Sequence, residues 1–238
     1  MTQTINDESK VTDWRTTKRW YTHETLFIKT LKVLVKAYYF SQVKLERVGF
    51  ENIPPGPAIL MANHISSHDP TMLGVSLPPG RHPYFMAKKE LFDKFDWLIR
   101  RLGAFPVNRG QFDIWAFDHV GKILAAGQLC TIFAEGSRSG KEKVTLRKAK
   151  TGAVRLAARY QVPILPCAII GTEKLSARKQ FKGWRAATVQ IKLGKLVDVP
   201  SLAPEAVTDH RSYRELTDQI MVQIARMLPP ANRGYYSD

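Results

Sequence analysis

Short apolar runs alternate along this chain with longer segments that contain helix-forming residues and few Gly or Pro. The apolar runs are typical of buried strands, and the longer segments are typical of helices. This alternation predicts an α/β fold with a mostly parallel central sheet flanked by helices. The predicted strands are residues 58–62, 84–87, 130–134, 162–170 and 188–193. The predicted helices are residues 14–40, 69–77, 91–102, 114–126, 151–159 and 211–227.

The length of 238 residues suits one large domain, or one domain plus a small appendage. Because residues 1–12 are polar and acidic, we expect a disordered tail there and no secretory signal. Residues 13–42 form a predicted N-terminal helical segment, and residues 43–238 form the α/β domain. No run of about 18 uncharged apolar residues is present, so we expect no transmembrane helix. Cys130 and Cys167 lie in apolar runs and are predicted to be buried free thiols in a reducing compartment.

The N-terminal helical segment combines a basic stripe with a wide apolar, aromatic surface. Its lysines recur at helical spacing and fall on one face. Such a helix suits a membrane interface, but a core helix with its lysines in water would have the same pattern. Both interpretations stay open. The stripe consists of Lys18, Thr25, Lys29, Lys32 and Lys36.

The whole chain is strongly basic, with 36 Lys and Arg against 21 Asp and Glu, a formal charge of +15 and a pI of about 9.9. Such a field attracts nucleic acid, an anionic membrane or phosphorylated substrates, although solubility alone is an alternative. The sequence contains no helix-turn-helix, zinc or RRM signature, so we expect no nucleic acid partner.

The heptapeptide NHISSHD at residues 63–69 follows a predicted buried strand, where α/β folds place functional loops. Asp69 could orient His64 as a general base, provided that a turn brings them together, because five helical residues would separate them by about 140°. Asp69-Pro70 suits a helix N-cap, which is also the alternative structural role of Asp69. A metal site using His64, His68 and Asp69 is a third possibility, but no distant ligand pair completes it.

Two further loops carry candidate anion-binding groups. Residues 132–141 run from a strand into Gly, Ser, Arg and Lys residues, which suits a backbone anion nest with Arg138 as a phosphate ligand. A Walker A loop is excluded because the spacing is one residue short and Glu142 replaces the Ser or Thr. Arg109 stands beside a glycine at a predicted strand end. For both loops, a solvated basic surface is the alternative. The prolines at 163 and 166 suggest an edge strand or a strand whose end lines a site.

Together, four blocks in order resemble the glycerolipid acyltransferases typified by 1-acylglycerol-3-phosphate acyltransferase. NHISSHD is similar to the family's NHxSxxD, GAFPVNRG to its second block, FAEGSRS to FPEGTRS, and VPILPCAIIGTE to its proline-bearing fourth block. The resemblance spans about residues 50 to 175. Ala134 replaces the usual proline and Ser137 the usual threonine, and neither change removes a charged group.

The resemblance implies that His64 is the general base for an acceptor hydroxyl that attacks an acyl thioester. Asp69 would orient His64 and stabilise its imidazolium form. No acyl-enzyme is required. Backbone amides near Gly136 or in the fourth block are candidates for the oxyanion donor.

The resemblance also implies an acceptor-binding set. Arg109 and Arg138 would hold the acceptor phosphate, and Glu135 would contact acceptor hydroxyls or pair with an arginine. Gly136 lies in the same predicted loop, and Lys150 could add a positive contact.

The implied reaction needs no cofactor, with acyl-CoA or acyl-carrier protein as co-substrate and a lysophosphatidate-type lysophospholipid as acceptor. The expected location is peripheral or monotopic, on an anionic membrane at the cytoplasmic face. Three alternatives stay open: a thioesterase using the same His-Asp pair on water, an acyltransferase for another lysolipid, and a non-catalytic lipid-binding protein.

Overall fold

Seven strands form one sheet within the part of the chain that the structure describes. The computed structural model describes residues 13–108, 113–139, 144–176, 187–199 and 210–237. The strands are β1 (Val43–Val48), β2 (Ala58–Ala62), β3 (Pro83–Lys88), β4 (Ala104–Val107), β5 (Leu129–Phe133), β6 (Ile164–Ile170) and β7 (Ala187–Leu193). Their order across the sheet is β1-β7-β6-β2-β5-β3-β4. Only the β6–β7 pair is antiparallel, which confirms the predicted α/β fold with a mostly parallel sheet.

Helices cover both faces of this sheet. Every residue of β2 is buried, and its side chains alternate between two apolar clusters, as the two-residue period of a strand requires. One cluster packs against the fourth, fifth and sixth helices, and the other against the first and second. The helices are α1 (Leu26–Gln42), α2 (Asp69–Ser76), α3 (Phe92–Arg101), α4 (Ile114–Ala125), α5 (Gly152–Tyr160) and α6 (His210–Met227).

The first helix is shorter than predicted. It begins after Thr25, whose hydroxyl accepts a hydrogen bond from the N–H of Ile28 and so caps the helix. Upstream, Trp14–Thr17 form a 3-10 turn in which buried Arg15 pairs with Asp113 at 2.6 Å. This ion pair fixes the upstream segment against the start of α4, so a single helix from residue 14 was a wrong prediction. The predicted disordered tail, residues 1–12, lies outside the described residues.

Strands β1 and β6 also differ from expectation. Strand β1 was not predicted from the sequence. Strand β6 lies inside the sheet between β7 and β2, so the edge position suggested by its prolines is wrong. Pro166 is tolerated because the antiparallel ladder with β7 begins one residue later, at Cys167.

The two cysteines lie in the core, as predicted. Cys130 and Cys167 are buried free thiols, and burial raises the pKa of both. Within the described ranges, no helix is long and apolar enough to cross a membrane.

Candidate functional site

The carboxyl ends of β2, β5 and β6 meet at one edge of the sheet, because these strands are parallel neighbours. Each strand delivers one polar side chain two residues after it ends: His64 after β2, Glu135 after β5 and Thr172 after β6. The chain therefore brings the first, third and fourth sequence blocks together at the position where α/β folds place ligands.

His64 and Asp69 form the hydrogen-bonded pair that the sequence predicted as one alternative. His64 Nδ1 lies 2.7 Å from Asp69 Oδ2. The same oxygen accepts backbone N–H bonds from Ile65 at 2.7 Å and Ser66 at 2.9 Å. Asp69 is fully buried, whereas 17% of the His64 side chain is exposed. Asp69 thus fixes the imidazole by Nδ1, and the Nε2 side is left for a reacting group.

The turn that makes this pair possible differs from the predicted cap. Asp69 is the first residue of α2, and His68 occupies the N-cap position. The Asp69 carboxylate turns back to the preceding loop instead of capping the helix that follows. The nearly parallel ring of Phe133 stacks on His64 at 4.1 Å between centroids and limits its movement.

Thr172 holds the other oxygen of Asp69 and was missed by the sequence analysis. Its fully buried hydroxyl donates to Asp69 Oδ1. Gly171 makes the turn before it with φ +88°, and a Cβ there would lie 2.3 Å from the carbonyl oxygen of Thr188. The available signal was a hydroxyl residue directly after a glycine at the end of the fourth block.

Asn63 was also missed as a functional residue. Its Nδ2 donates to the carbonyl of Ile169 at 2.9 Å, and its Oδ1 accepts from the Ile169 N–H at 2.7 Å. This pair of bonds joins the ends of β2 and β6 directly beside His64.

Glu135 is buried next to the loop that carries His64, with 1% of its side chain exposed. Its Oε1 accepts the His64 N–H at 3.1 Å, and its Oε2 accepts the Arg147 N–H at 3.0 Å. Burial raises the pKa of Glu135, although both backbone bonds and nearby Arg147 act to lower it. Glu135 therefore joins two loops, and its predicted contact with acceptor stays a prediction.

The residues of the predicted anion site are close to His64, apart from Arg109, which lies outside the described residues. Exposed Arg138 precedes Ser139, whose N–H donates to the His64 carbonyl at 2.9 Å. Lys150 lies against Gly136: a Cβ on that glycine would be 3.0 Å from Lys150 Cε and 3.3 Å from Nζ. The Gly136 N–H donates to the Phe133 carbonyl, so this amide is already engaged and is a poor oxyanion donor.

Arg147 is a further cation that the sequence analysis overlooked. Its Nη2 donates to Ser137 Oγ at 2.8 Å, and its Nε lies 3.6 Å from Glu135 Oε2. The guanidinium group is about half exposed and stands beside the loop that carries Arg138. Arg147 thereby adds positive charge to the same rim.

The two histidines of the heptapeptide face different partners. His68 Nδ1 lies 2.8 Å from the hydroxyl of Tyr39 on α1, whereas His64 Nδ1 faces Asp69. Burial lowers the pKa of His68 and raises that of Tyr39, so both groups are neutral at neutral pH and share one hydrogen bond. The described residues contain no group of three or more His, Cys, Asp or Glu arranged to hold a metal.

Comparison with known proteins shows the family to which the chain is similar. The family model described as Acyltransferase matches residues 44–170. The 1-acyl-sn-glycerol-3-phosphate acyltransferase of Saccharomyces cerevisiae is 32% identical over 138 residues, which are 56% of this chain and 45% of the yeast protein. That of Bacillus subtilis is 33% identical over 136 residues, 56% of this chain and 64% of the relative. The chain therefore spans about half to two thirds of the length of these relatives.

A solved structure supports the fold. The crystal structure of the 1-acyl-sn-glycerophosphate (LPA) acyltransferase PlsC from Thermotoga maritima aligns with a TM-score of 0.59 and 23% identity, over 81% of this chain and 76% of that chain. At this identity the alignment supports a shared fold only. The family match covers more than half of the chain and includes both His64 and Asp69. The chain belongs to the acyltransferase family.

Proposed function

We propose that this protein transfers a fatty acyl group from an acyl thioester to the hydroxyl of lysophosphatidate and so produces phosphatidate. The observation that carries the proposal is the 2.7 Å bond between His64 Nδ1 and Asp69 Oδ2, which directs Nε2 away from the carboxylate. The names of the yeast and B. subtilis relatives support lysophosphatidate as the acceptor.

In the proposed reaction, His64 Nε2 accepts the proton of the acceptor hydroxyl while its oxygen attacks the thioester carbonyl. A C–O bond forms, and collapse of the tetrahedral intermediate breaks the C–S bond. The leaving thiolate takes the proton back from the imidazolium. Asp69 stabilises the imidazolium between these steps and holds its ring, as a carboxylate does in other His-dependent acyl transfers.

The acceptor phosphate is proposed to bind at the basic rim. Arg138 and Lys150 are both exposed and both lie on segments that contact the loop of His64 or Gly136. An arginine binds a phosphate with two parallel hydrogen bonds, whereas a lysine acts as a point charge. Arg109 belongs to this proposal through its place in the second block, and Arg147 through its position beside Ser137.

We place the reaction at the cytoplasmic face of a membrane, with acyl-CoA or acyl-carrier protein as donor and no cofactor. The formal charge of +15 suits an anionic lipid surface and an anionic donor. The outer face of α1 supports membrane contact because Leu26, Val33 and Leu34 are 79%, 68% and 63% exposed. Replacing Leu26 and Leu34 by Ser should weaken binding to anionic vesicles without unfolding the protein, since neither side chain is buried.

The test of the reaction is thiol release from oleoyl-CoA, with and without lysophosphatidate in vesicles, together with product analysis. Wild-type protein should release thiol only when acceptor is present and should form phosphatidate. His64→Ala should abolish both signals, because the variant lacks the base. His23→Ala is the matched control, since His23 is exposed and outside the site.

The products separate the competing functions. Free fatty acid without phosphatidate would identify a hydrolase and refute the transferase. A diacylated product from another lysolipid, but not from lysophosphatidate, would refute the acceptor alone. If no thiol is released from oleoyl-CoA, the same assay with oleoyl acyl-carrier protein decides whether the donor or the whole assignment is wrong.

A further inference from the structure

Both the inner and the outer face of α1 carry large apolar side chains. Ile28, Val35 and Tyr39 pack against the domain, yet several large apolar side chains on the other side are more than half exposed. The lysines of the predicted stripe do not fill that outer face: Lys32 is partly buried and pairs with Glu24 at 2.8 Å. The exposed apolar residues of α1 are Leu26, Val33, Leu34, Tyr38 and Phe40.

This surface continues onto α3. Trp97 is 59% exposed, and its ring lies 6.2 Å from that of Phe27 on α1. The guanidinium group of Arg101 lies above both rings, 5.5 Å from the Phe27 centroid and 5.7 Å from the Trp97 centroid. Phe27 thus joins the two helices, and Arg101 places a cation at the junction. A tryptophan beside an arginine with an apolar stem is the combination favoured at lipid headgroups.

The other end of α1 reaches the loop that carries His64. Tyr39 is hydrogen-bonded to His68, which directly precedes Asp69 in the chain. Tyr39 follows Phe27 by twelve positions in the helix, so the two residues are about 18 Å apart along its axis at 1.5 Å per residue. A flat membrane surface in contact with Trp97 and with the exposed side of α1 would therefore pass close to the loop that carries His64.

Charge distinguishes the possible occupants of this surface. Segment 26–42 contains three lysines and no acidic residue, and both Lys29 and Lys36 are exposed. Arg101 adds a further exposed cation. A second copy of this chain would bring the same positive charge to the contact and be repelled. An anionic lipid surface provides both the opposite charge and an apolar interior.

We propose that α3 is a second membrane-contacting element, in which Trp97 and Arg101 enter the headgroup layer of an anionic bilayer next to α1. Contact through two elements fixes the orientation of the domain on the membrane, whereas one helix would leave rotation about its axis free. The proposal deepens the proposed function and rests on it for the claim that the acceptor comes from the bilayer.

The direct test is quenching of tryptophan fluorescence by vesicles of phosphatidylglycerol and phosphatidylcholine that carry brominated acyl chains. The experiment uses a Trp184→Phe background, because Trp184 lies outside the described residues. This parent protein should be quenched, and adding Trp97→Phe should remove most of that quenching, because Trp14, Trp20 and Trp115 pack into the domain. Equal quenching of the parent protein and its Trp97→Phe variant would overturn the proposal.

A binding assay provides the second readout. Trp97→Ala should lower the partition coefficient onto the same vesicles roughly tenfold, and Arg101→Gln should lower its salt dependence. Leu196→Ala is the matched control: Leu196 is 40% exposed and precedes Val197, which pairs with Ile164 at the opposite edge of the sheet from His64. Unchanged vesicle binding by Trp97→Ala, or a dimer in solution that Trp97→Ala dissolves, would contradict the proposal.

Failure of this proposal is distinguishable from failure of the reaction. The vesicle experiments need no catalysis. With a short-chain, water-soluble lysophosphatidate, Trp97→Ala should keep wild-type turnover, whereas with long-chain acceptor in vesicles its activity should fall in parallel with binding. If wild-type protein binds vesicles through Trp97 but transfers no acyl group, membrane contact through α3 is supported and the proposed reaction is refuted.

Discussion

The hydroxyl of Thr172 offers a sharp test of how the catalytic pair is held. Thr172 and Asp69 are both fully buried, and the hydroxyl is the donor to Asp69 Oδ1, while the other carboxylate oxygen receives the loop amides and His64. Thr172→Val preserves the shape of the side chain and removes this donor. The buried Oδ1 then loses its partner without access to water, and the carboxylate loses one of the bonds that set its plane.

The expected loss of kcat in Thr172→Val is large because the Thr172 hydroxyl donates to a charged carboxylate, that of Asp69. A hydrogen bond to a charged group contributes about 1.5–3 kcal/mol to stability. If the same orienting energy is lost from the transition state, kcat falls roughly ten- to a hundredfold, because about 1.4 kcal/mol corresponds to a factor of ten. KM for both substrates should stay unchanged, since Thr172 acts through Asp69 and is not at the basic rim.

The assay combines urea unfolding with steady-state kinetics of thiol release. Thr172→Ser keeps the hydroxyl and should recover most of kcat, at a stability loss of about 1 kcal/mol for the missing methyl group. Thr217→Val is the matched control, because Thr217 is equally buried and its hydroxyl donates to the Tyr213 carbonyl on α6. On an Asp69→Asn background, Thr172→Val should add little further loss of kcat.

Three outcomes would refute this reasoning. A wild-type kcat in Thr172→Val would show that the hydroxyl does not orient the pair. Equal impairment of the Val and Ser variants would assign the effect to packing. Full additivity with Asp69→Asn would separate Thr172 from the carboxylate.

Three further predictions test other parts of the site and core. Tyr39→Phe removes the hydrogen bond to His68 and should lower kcat several-fold in steady-state kinetics, lower stability by about 1 kcal/mol, and leave vesicle binding unchanged in flotation. Asn63→Leu leaves the N–H and carbonyl of Ile169 unpaired and should lower the free energy of unfolding by about 3 kcal/mol in urea titrations. Burial lowers the pKa of His119 to about 4, so between pH 6.5 and 4 the unfolded chain binds more protons than the folded chain, and stability falls as the pH falls. His119→Phe should remove about 2.4 kcal/mol of the loss between pH 7 and pH 4.5, measured by unfolding at both pH values.

The sequence predicted the interior of the sheet because its physical basis is local. Strands β2, β5 and β6 are continuous apolar runs, as expected for strands covered on both faces. Strand β1 was missed because VKLERV is short and its alternation is broken by the consecutive charges of Glu46 and Arg47. Its formation depends on pairing with β7, where Val43 lies opposite Ala187, 144 positions later in the chain. The start of α1 was misplaced because the Arg15–Asp113 contact joins residues 98 positions apart.

The same distinction applies to the site. His64 and Asp69 were recognised because they are five residues apart and lie in one motif. Thr172, Asn63 and Arg147 were missed as functional residues because their roles depend on contacts with distant segments: Thr172 on Asp69, 103 positions away, and Asn63 on Ile169, 106 positions away. A sequence motif identifies the reacting group, whereas the groups that hold it are identified by which strands are neighbours.

These distant contacts divide the site into two functional parts. The loop that carries His64, the proposed base, is held by β6 through Asn63, by β5 through Glu135 and by α1 through His68. His64 is therefore preorganised, so substitutions at any of these supports should act on kcat, in proportion to the bond removed. The exposed cations at the rim, Arg138 and Lys150, do not support the loop by their side chains in this way and should act mainly on KM for the acceptor. The proposed membrane contact through α1 is mechanically linked to the first part, since the same helix is hydrogen-bonded, through Tyr39, to the loop that carries the proposed base.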